Sequence, residues 1–146
     1  MKEMMKKVRE RREGFTMAEL LIVVAIIAVL VAIAIPVFTA QLEKSRDAVS
    51  VANIRTAYAE ASSAFLTSTK SGTVDGVVVT LNTDGSGTAK VSTVELKGTA
   101  SGWSDADTNL PFVHTVMDAD MGAVSGKKAL KFTFATDGTC TLTTVE

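Results

Sequence analysis

A single cysteine, Cys140, leaves this 146-residue chain unable to close an intrachain disulfide. Any exported part must therefore be held together by its core alone. The one histidine, His114, has no cysteine cluster near it, so a core or surface role outweighs a zinc or catalytic one. A basic excess is missing too: 15 Lys and Arg stand against 16 Asp and Glu, which argues against a general nucleic-acid binder. Glycine is absent between Gly14 and Gly72, and the only prolines are Pro36 and Pro111. The first half of the chain thus has little to interrupt a helix. No nucleophile–base pair, phosphate loop or pair of catalytic acids emerges, so the chain reads as no enzyme and calls for no cofactor.

What is present is unevenly spread. Residues 1–14 carry six Lys or Arg against three acids, a net of +3, and residues 15–146 carry nine against thirteen, a net of −4. Between these parts lies LLIVVAIIAVLVAIAIPVF, residues 20–38, without a charge or a hydrogen-bonding side chain. At the helical rise the run spans roughly 28 Å, close to the hydrocarbon thickness of a bilayer. The cations of residues 1–14 precede it and the next is Lys44, which places the N-terminus in the cytoplasm and residues 39–146 outside. A cleaved secretory signal fits poorly. Its apolar stretch is shorter, and Ile33, Ile35 and Pro36 spoil a small-residue cleavage site.

The helix pattern continues past the run. Val51, Ile54, Tyr58, Ala61 and Phe65 recur at spacings of 3, 4, 3 and 4, one stripe of an amphipathic helix. One continuous rod from Thr16 to Ser68, roughly 80 Å long, is expected, with a bend at Pro36 because its nitrogen cannot donate to the carbonyl four residues back.

Glu19 is the unexpected residue. An acid at the centre of a membrane helix costs about 2.5–3.5 kcal/mol on insertion scales. Snorkelling to the headgroups is one reading. Pairing with a cation is the other, and since the apolar segment holds none, that cation has to come from another chain. The basic leader, Gly14, then Phe15-Thr-Met-Ala-Glu19-Leu-Leu-Ile, the apolar run and Pro36 together resemble the N-terminus of a type IV prepilin over residues 1–60.

The resemblance implies a pilin-like α+β fold, a long N-terminal α-helix packed on a small antiparallel β-sheet. It divides the chain into a leader peptide (1–14), the helix (15–70, with the transmembrane and assembly segment at 20–38) and an exported β-rich head (71–146). It implies cleavage between Gly14 and Phe15 by a prepilin peptidase that also methylates the new Phe15 amine. An assembly ATPase and a platform membrane protein then lift the subunit from the membrane lipid into a helical filament of its own copies. Glu19, Phe15 and Pro36 are its assembly residues, and the product is a cell-surface pilus; the charge balance, not the resemblance, leaves no nucleic-acid partner expected. A pseudopilin of a type II secretion or DNA-uptake system shares everything through Pro36. A single-pass anchor displaying a binding module is the rival of another class, and it leaves Gly14-Phe15 and Glu19 without purpose.

In the head, strands are expected at 77–81, 88–96 and 110–117, followed by a hairpin of 128–136 with 139–145. A three-residue loop, 136–138, pairs Phe134 with Cys140 and Phe132 with Leu142, with Gly138 left-handed. Leu130, Phe132, Phe134, Cys140 and Leu142 then pack on the stripe of Val51, Ile54, Tyr58 and Phe65, with Cys140 as a small buried hydrophobe. Asp105-x-Asp107-x-Asn109 begins like a calcium loop, but Leu110 and Val116 stand where glycine and a bidentate glutamate are needed. Asp118-x-Asp120 is weaker still, and no metal site is expected. Trp103 reads as a loop anchor. Lys127, Lys128 and Lys131 form a small basic patch too thin for nucleic acid.

Overall fold

A computed structural model describes residues 14–98, 110–113 and 125–145. Among the described residues the chain forms one long helix, α1 (Met17–Thr67), followed by strands β1 (Gly72–Val74), β2 (Val77–Leu81), β3 (Gly87–Lys97), β4 (Ser125–Phe134) and β5 (Cys140–Val145). The strands make a single antiparallel sheet in the order β1-β2-β3-β4-β5, each paired with its neighbour in sequence. The expected α+β arrangement is present. The chain divides into two compact units, one ending at Thr39 and one beginning at Ala40.

α1 runs unbroken through Pro36. Pro36 has no N–H for the Ala32 carbonyl, and the Thr39 hydroxyl donates to the Pro36 carbonyl at 3.0 Å. At the C-terminal end no basic residue meets the helix dipole. Hydroxyls do that work: Thr67 donates to the Ser63 carbonyl at 2.8 Å and Ser68 to that of Ala64.

In the second unit the helix lays one face on the sheet. The expected stripe is there, with Val51, Ile54 and Ala61 buried and Tyr58 and Phe65 packed against the core. Ala57 and Ala64 are buried as well, and their small side chains let the helix backbone approach the sheet. Opposite them lie Leu130, Phe132, Cys140 and Leu142, all buried, with Phe134 half-buried. Rings knit the two layers together. Tyr58 lies 5.8 Å from Phe132 and 5.1 Å from Phe112, Phe112 stands edge-on to Phe132 at 5.3 Å, and Phe65 stacks on Phe134 at 4.5 Å. Such pairs are worth about 0.5–1.5 kcal/mol beyond the area they bury.

The β4–β5 hairpin has the expected register: Phe134 faces Cys140, Phe132 faces Leu142, and Gly138 has φ +84°. β3 contains an irregularity that the alternation conceals. Its inward residues are Ala89, Val91, Val94 and Leu96, a spacing of 2, 3, 2, and the register shifts between Val91 and Val94. The bulge at Ser92 and Thr93 turns Val94 back to the core. β1, unforeseen, adds a three-residue edge through a tight turn at Asp75 (φ +49°) and Gly76 (φ +84°), the left-handed pair typical of two-residue hairpins. The strand expected at 110–117 needs correction. Within 110–113 only Val113 pairs, in a parallel bridge to Thr141, since Pro111 has no N–H to extend a ladder. Leu110 and Phe112 are buried anchors instead, and residues 114–117 lie outside the described residues.

Two predictions follow from this packing. A Cβ at Gly87 would run into the Thr80 carbonyl oxygen and reach a Phe65 ring carbon at 2.8 Å. Gly87→Ala should therefore destabilise the protein by about 1–3 kcal/mol, read as a lowered melting temperature of the purified protein. In the two longer turns, Asp84 accepts from the Ser86 hydroxyl and N–H, and Asp137 from those of Thr139. These bonds hold both carboxyls below their ordinary value of 3.8. Their stabilisation is present above that value and is lost as pH falls through the lower folded values. Asp84→Ala/Asp137→Ala should therefore show a shallower fall in melting temperature on the acid side.

Candidate functional site

The N-terminus of α1 brings together the residues the sequence singles out. Gly14, Phe15 and Thr16 precede the helix, and Glu19 lies in its first turn. The Glu19 carboxylate has a partner in its own chain. Its Oε2 accepts from the Thr16 N–H at 2.8 Å and from the Thr16 hydroxyl at 2.9 Å, while the Glu19 N–H donates to Thr16 Oγ1 at 3.2 Å. This reciprocal capping box satisfies helix-end donors and sets a negative charge at the positive end of the helix dipole. Thr16 was missed by the sequence reading, although Thr-x-x-Glu ahead of an apolar run is a capping signature. A cationic partner remains a separate matter, because hydrogen bonds from Thr16 leave the charge of Glu19 unbalanced.

None of the three bonds uses an atom of Gly14 or Phe15, so breaking the 14–15 peptide bond leaves the box intact. Phe15 is 83% exposed. A Cβ at Gly14 would have nothing within 4 Å, so the fold itself makes no demand for glycine there.

Every residue from Gly14 to Leu42 is exposed. The helix is long and apolar enough to cross a membrane, and among the described residues its apolar segment is not buried. Each Val, Leu or Ile left in water forgoes about 1.5–3 kcal/mol of burial, so a surface of this kind gains by being covered. Pro36 lies within the exposed segment.

The lesser candidates divide. Lys127 and Lys131 alternate with Lys128 along β4, so the basic patch is split between the two sheet faces. Across the ladder Lys127 faces Glu95 and Lys131 faces Lys90. Cys140 is buried, and burial pushes its thiol up to about 11. Trp103, Asp105, Asp107, Asn109, His114, Asp118 and Asp120 lie outside the described residues. Among the described residues no group of three metal-ligating side chains occurs.

The cap predicts a local effect. Thr16→Val removes the hydroxyl, and with it two of the three bonds. Amide hydrogen exchange in detergent micelles should accelerate over the first turn of α1, with no change in β3 or β4.

Residues 9–35 match the prokaryotic N-terminal methylation motif. No curated protein and no solved structure matches the chain. The motif is that of a pilin-like or pseudopilin precursor, a structural protein processed by a prepilin peptidase and assembled by dedicated machinery. With the apolar helix beside it, it marks a membrane-anchored precursor.

Proposed function

We propose that the chain is a structural subunit of a type IV pilus filament. It enters the membrane as a prepilin with its N-terminus in the cytoplasm and is cut between Gly14 and Phe15. The new Phe15 amine is methylated, and residues 15–146 are drawn into a helical surface fibre through residues 20–38. One observation carries the reading: a methylation motif at 9–35 overlaps the start of a helix whose apolar segment is exposed among the described residues. Lipid covers it before assembly, and sister helices cover it afterwards.

Glu19 sets the register. Cleavage creates an ammonium on Phe15, beside a helix N-terminus whose dipole disfavours positive charge. In a staggered stack of parallel helices the amine of an incoming copy meets the Glu19 carboxylate of its neighbour. In a low-dielectric surrounding that attraction is strong and an unpaired carboxylate is costly. Thr16 holds the carboxylate at the helix start until the amine arrives. Pro36 has a second role, because the helix already lacks one internal bond there and local opening in the fibre is easiest at that point. A pseudopilin uses the same parts, and long abundant fibres rather than a short membrane-bound stub separate the two.

The mass of the N-terminal peptide recovered from cells tests the processing step. It should begin at Phe15 and carry one added methyl group. A chain beginning at Met1, or beyond Pro36, would overturn the reading. Gly14→Val should accumulate in the membrane as uncut precursor.

A further inference from the structure

Asp-Gly occurs three times in the chain, at 75–76, 84–85 and 137–138, each time between two strands of the sheet. The three carboxylates are held differently. Asp84 Oδ1 accepts from the Ser86 N–H at 2.9 Å and its hydroxyl at 2.6 Å. Asp137 Oδ1 accepts from the Thr139 N–H at 2.9 Å and its hydroxyl at 2.7 Å. Asp75 is exposed and makes no hydrogen bond or ion pair among the described residues. Gly76 is exposed too, and a Cβ built there would touch nothing.

The strands around the turns differ as well. Asp84 joins β2 to the eleven-residue β3, and Asp137 joins the ten-residue β4 to the six-residue β5. Asp75 joins β2 to β1, three residues long at the sheet edge. Short edge elements open at little cost in free energy, so the 75–76 backbone is the one that samples other geometries most readily.

We propose that Asp75 is a site of spontaneous modification, converting to isoaspartate through a cyclic imide with Gly76, while Ser86 and Thr139 protect the two sister aspartates. The Gly76 nitrogen attacks the protonated Asp75 carboxyl at Cγ, forming an N–Cγ bond and losing its proton. The carboxyl hydroxyl leaves as water, which closes a five-membered ring. A second water opens the ring. Attack at the former main-chain carbonyl routes the backbone through Cβ and Cγ, giving isoaspartate. One water leaves and one returns, with no oxidant or reductant. Glycine favours the step because it puts no side chain beside the attacking nitrogen. At Asp84 and Asp137 the hydrogen bonds hold the carboxylate toward the second following residue and favour the ionised, unreactive form.

The product adds a methylene between Val74 and Val77, which are paired across the turn. β1 then loses its register on β2 and peels from the edge, while the core under β2 to β5 stays closed. The inference rests on turn chemistry and stands whether or not the chain forms filaments.

The test uses the purified full chain in detergent, aged for weeks at physiological temperature and near-neutral pH. Isoaspartate is mapped by peptide mass spectrometry and by labelling with a protein isoaspartyl methyltransferase. Folded protein should carry several-fold more isoaspartate at 75 than at 84 or 137, whereas a chain unfolded in urea should convert at all three to similar extents. Asp75→Glu should abolish the signal at 75, because the larger ring closes far more slowly. Ser86→Ala/Thr139→Val should raise conversion at 84 and 137 several-fold. Equal conversion at the three sites in folded protein would overturn the proposal. So would no conversion at 75 under conditions where the unfolded chain converts.

Discussion

An apolar helix surface left exposed among the described residues is the constraint from which the rest follows. From Gly14 to Leu42 every residue is exposed, and wetting such a surface is costly. Lipid and like helices are the available covers, and both fit a precursor that carries a methylation motif at 9–35. The same helix then changes character. Beyond Ala40 it becomes amphipathic and supplies Val51, Ile54, Ala57, Ala61 and Ala64 to a core shared with the sheet. A single element thus serves two environments, and the switch is written in where its charged residues begin.

The head is built so that this core is enough. With one cysteine, buried at Cys140, it has no covalent staple, and ring packing of Tyr58, Phe112 and Phe132 takes that place. Side-chain bonds from the helix reinforce the sheet. Asn53 donates to the Glu95 carbonyl at 2.7 Å, and the Lys97 N–H donates to the Ser50 hydroxyl at 2.8 Å. These contacts tie the outer half of β3 to α1 where β2, which pairs only with residues 87–91, no longer reaches it.

Much of this was legible in the residues, and what was missed has physical reasons. The β4–β5 register near its turn followed from parity: of a two- and a three-residue loop, only the three-residue one places Phe132, Phe134, Cys140 and Leu142 on one face. The helical stripe followed from its spacing. Ala57 and Ala64 escaped notice because alanine carries no strong burial signal, although close helix–sheet contact needs small residues. β1 was invisible because Gly72, Thr73 and Val74 are too few to show a period. The bulge in β3 hid in an alternation that looks continuous until Val94 is found facing inward. Residues 110–113 carry strand-like side chains, and Pro111 denies them a ladder. At the candidate site Glu19 stood out as an acid beside an apolar run. Thr16 is legible only as part of a pattern, Thr-x-x-Glu ahead of an apolar run, and not from its own chemistry.

The central claim is that the Glu19 carboxylate pairs with the amino end of a neighbouring copy. Electron microscopy of fibres from cells expressing Glu19→Ala tests it most directly, with the N-terminal mass measured in parallel. The account predicts a chain cut and methylated at Phe15 that stays in the membrane or yields only sparse, irregular fibres. Fibres of ordinary number and order from that variant would contradict it.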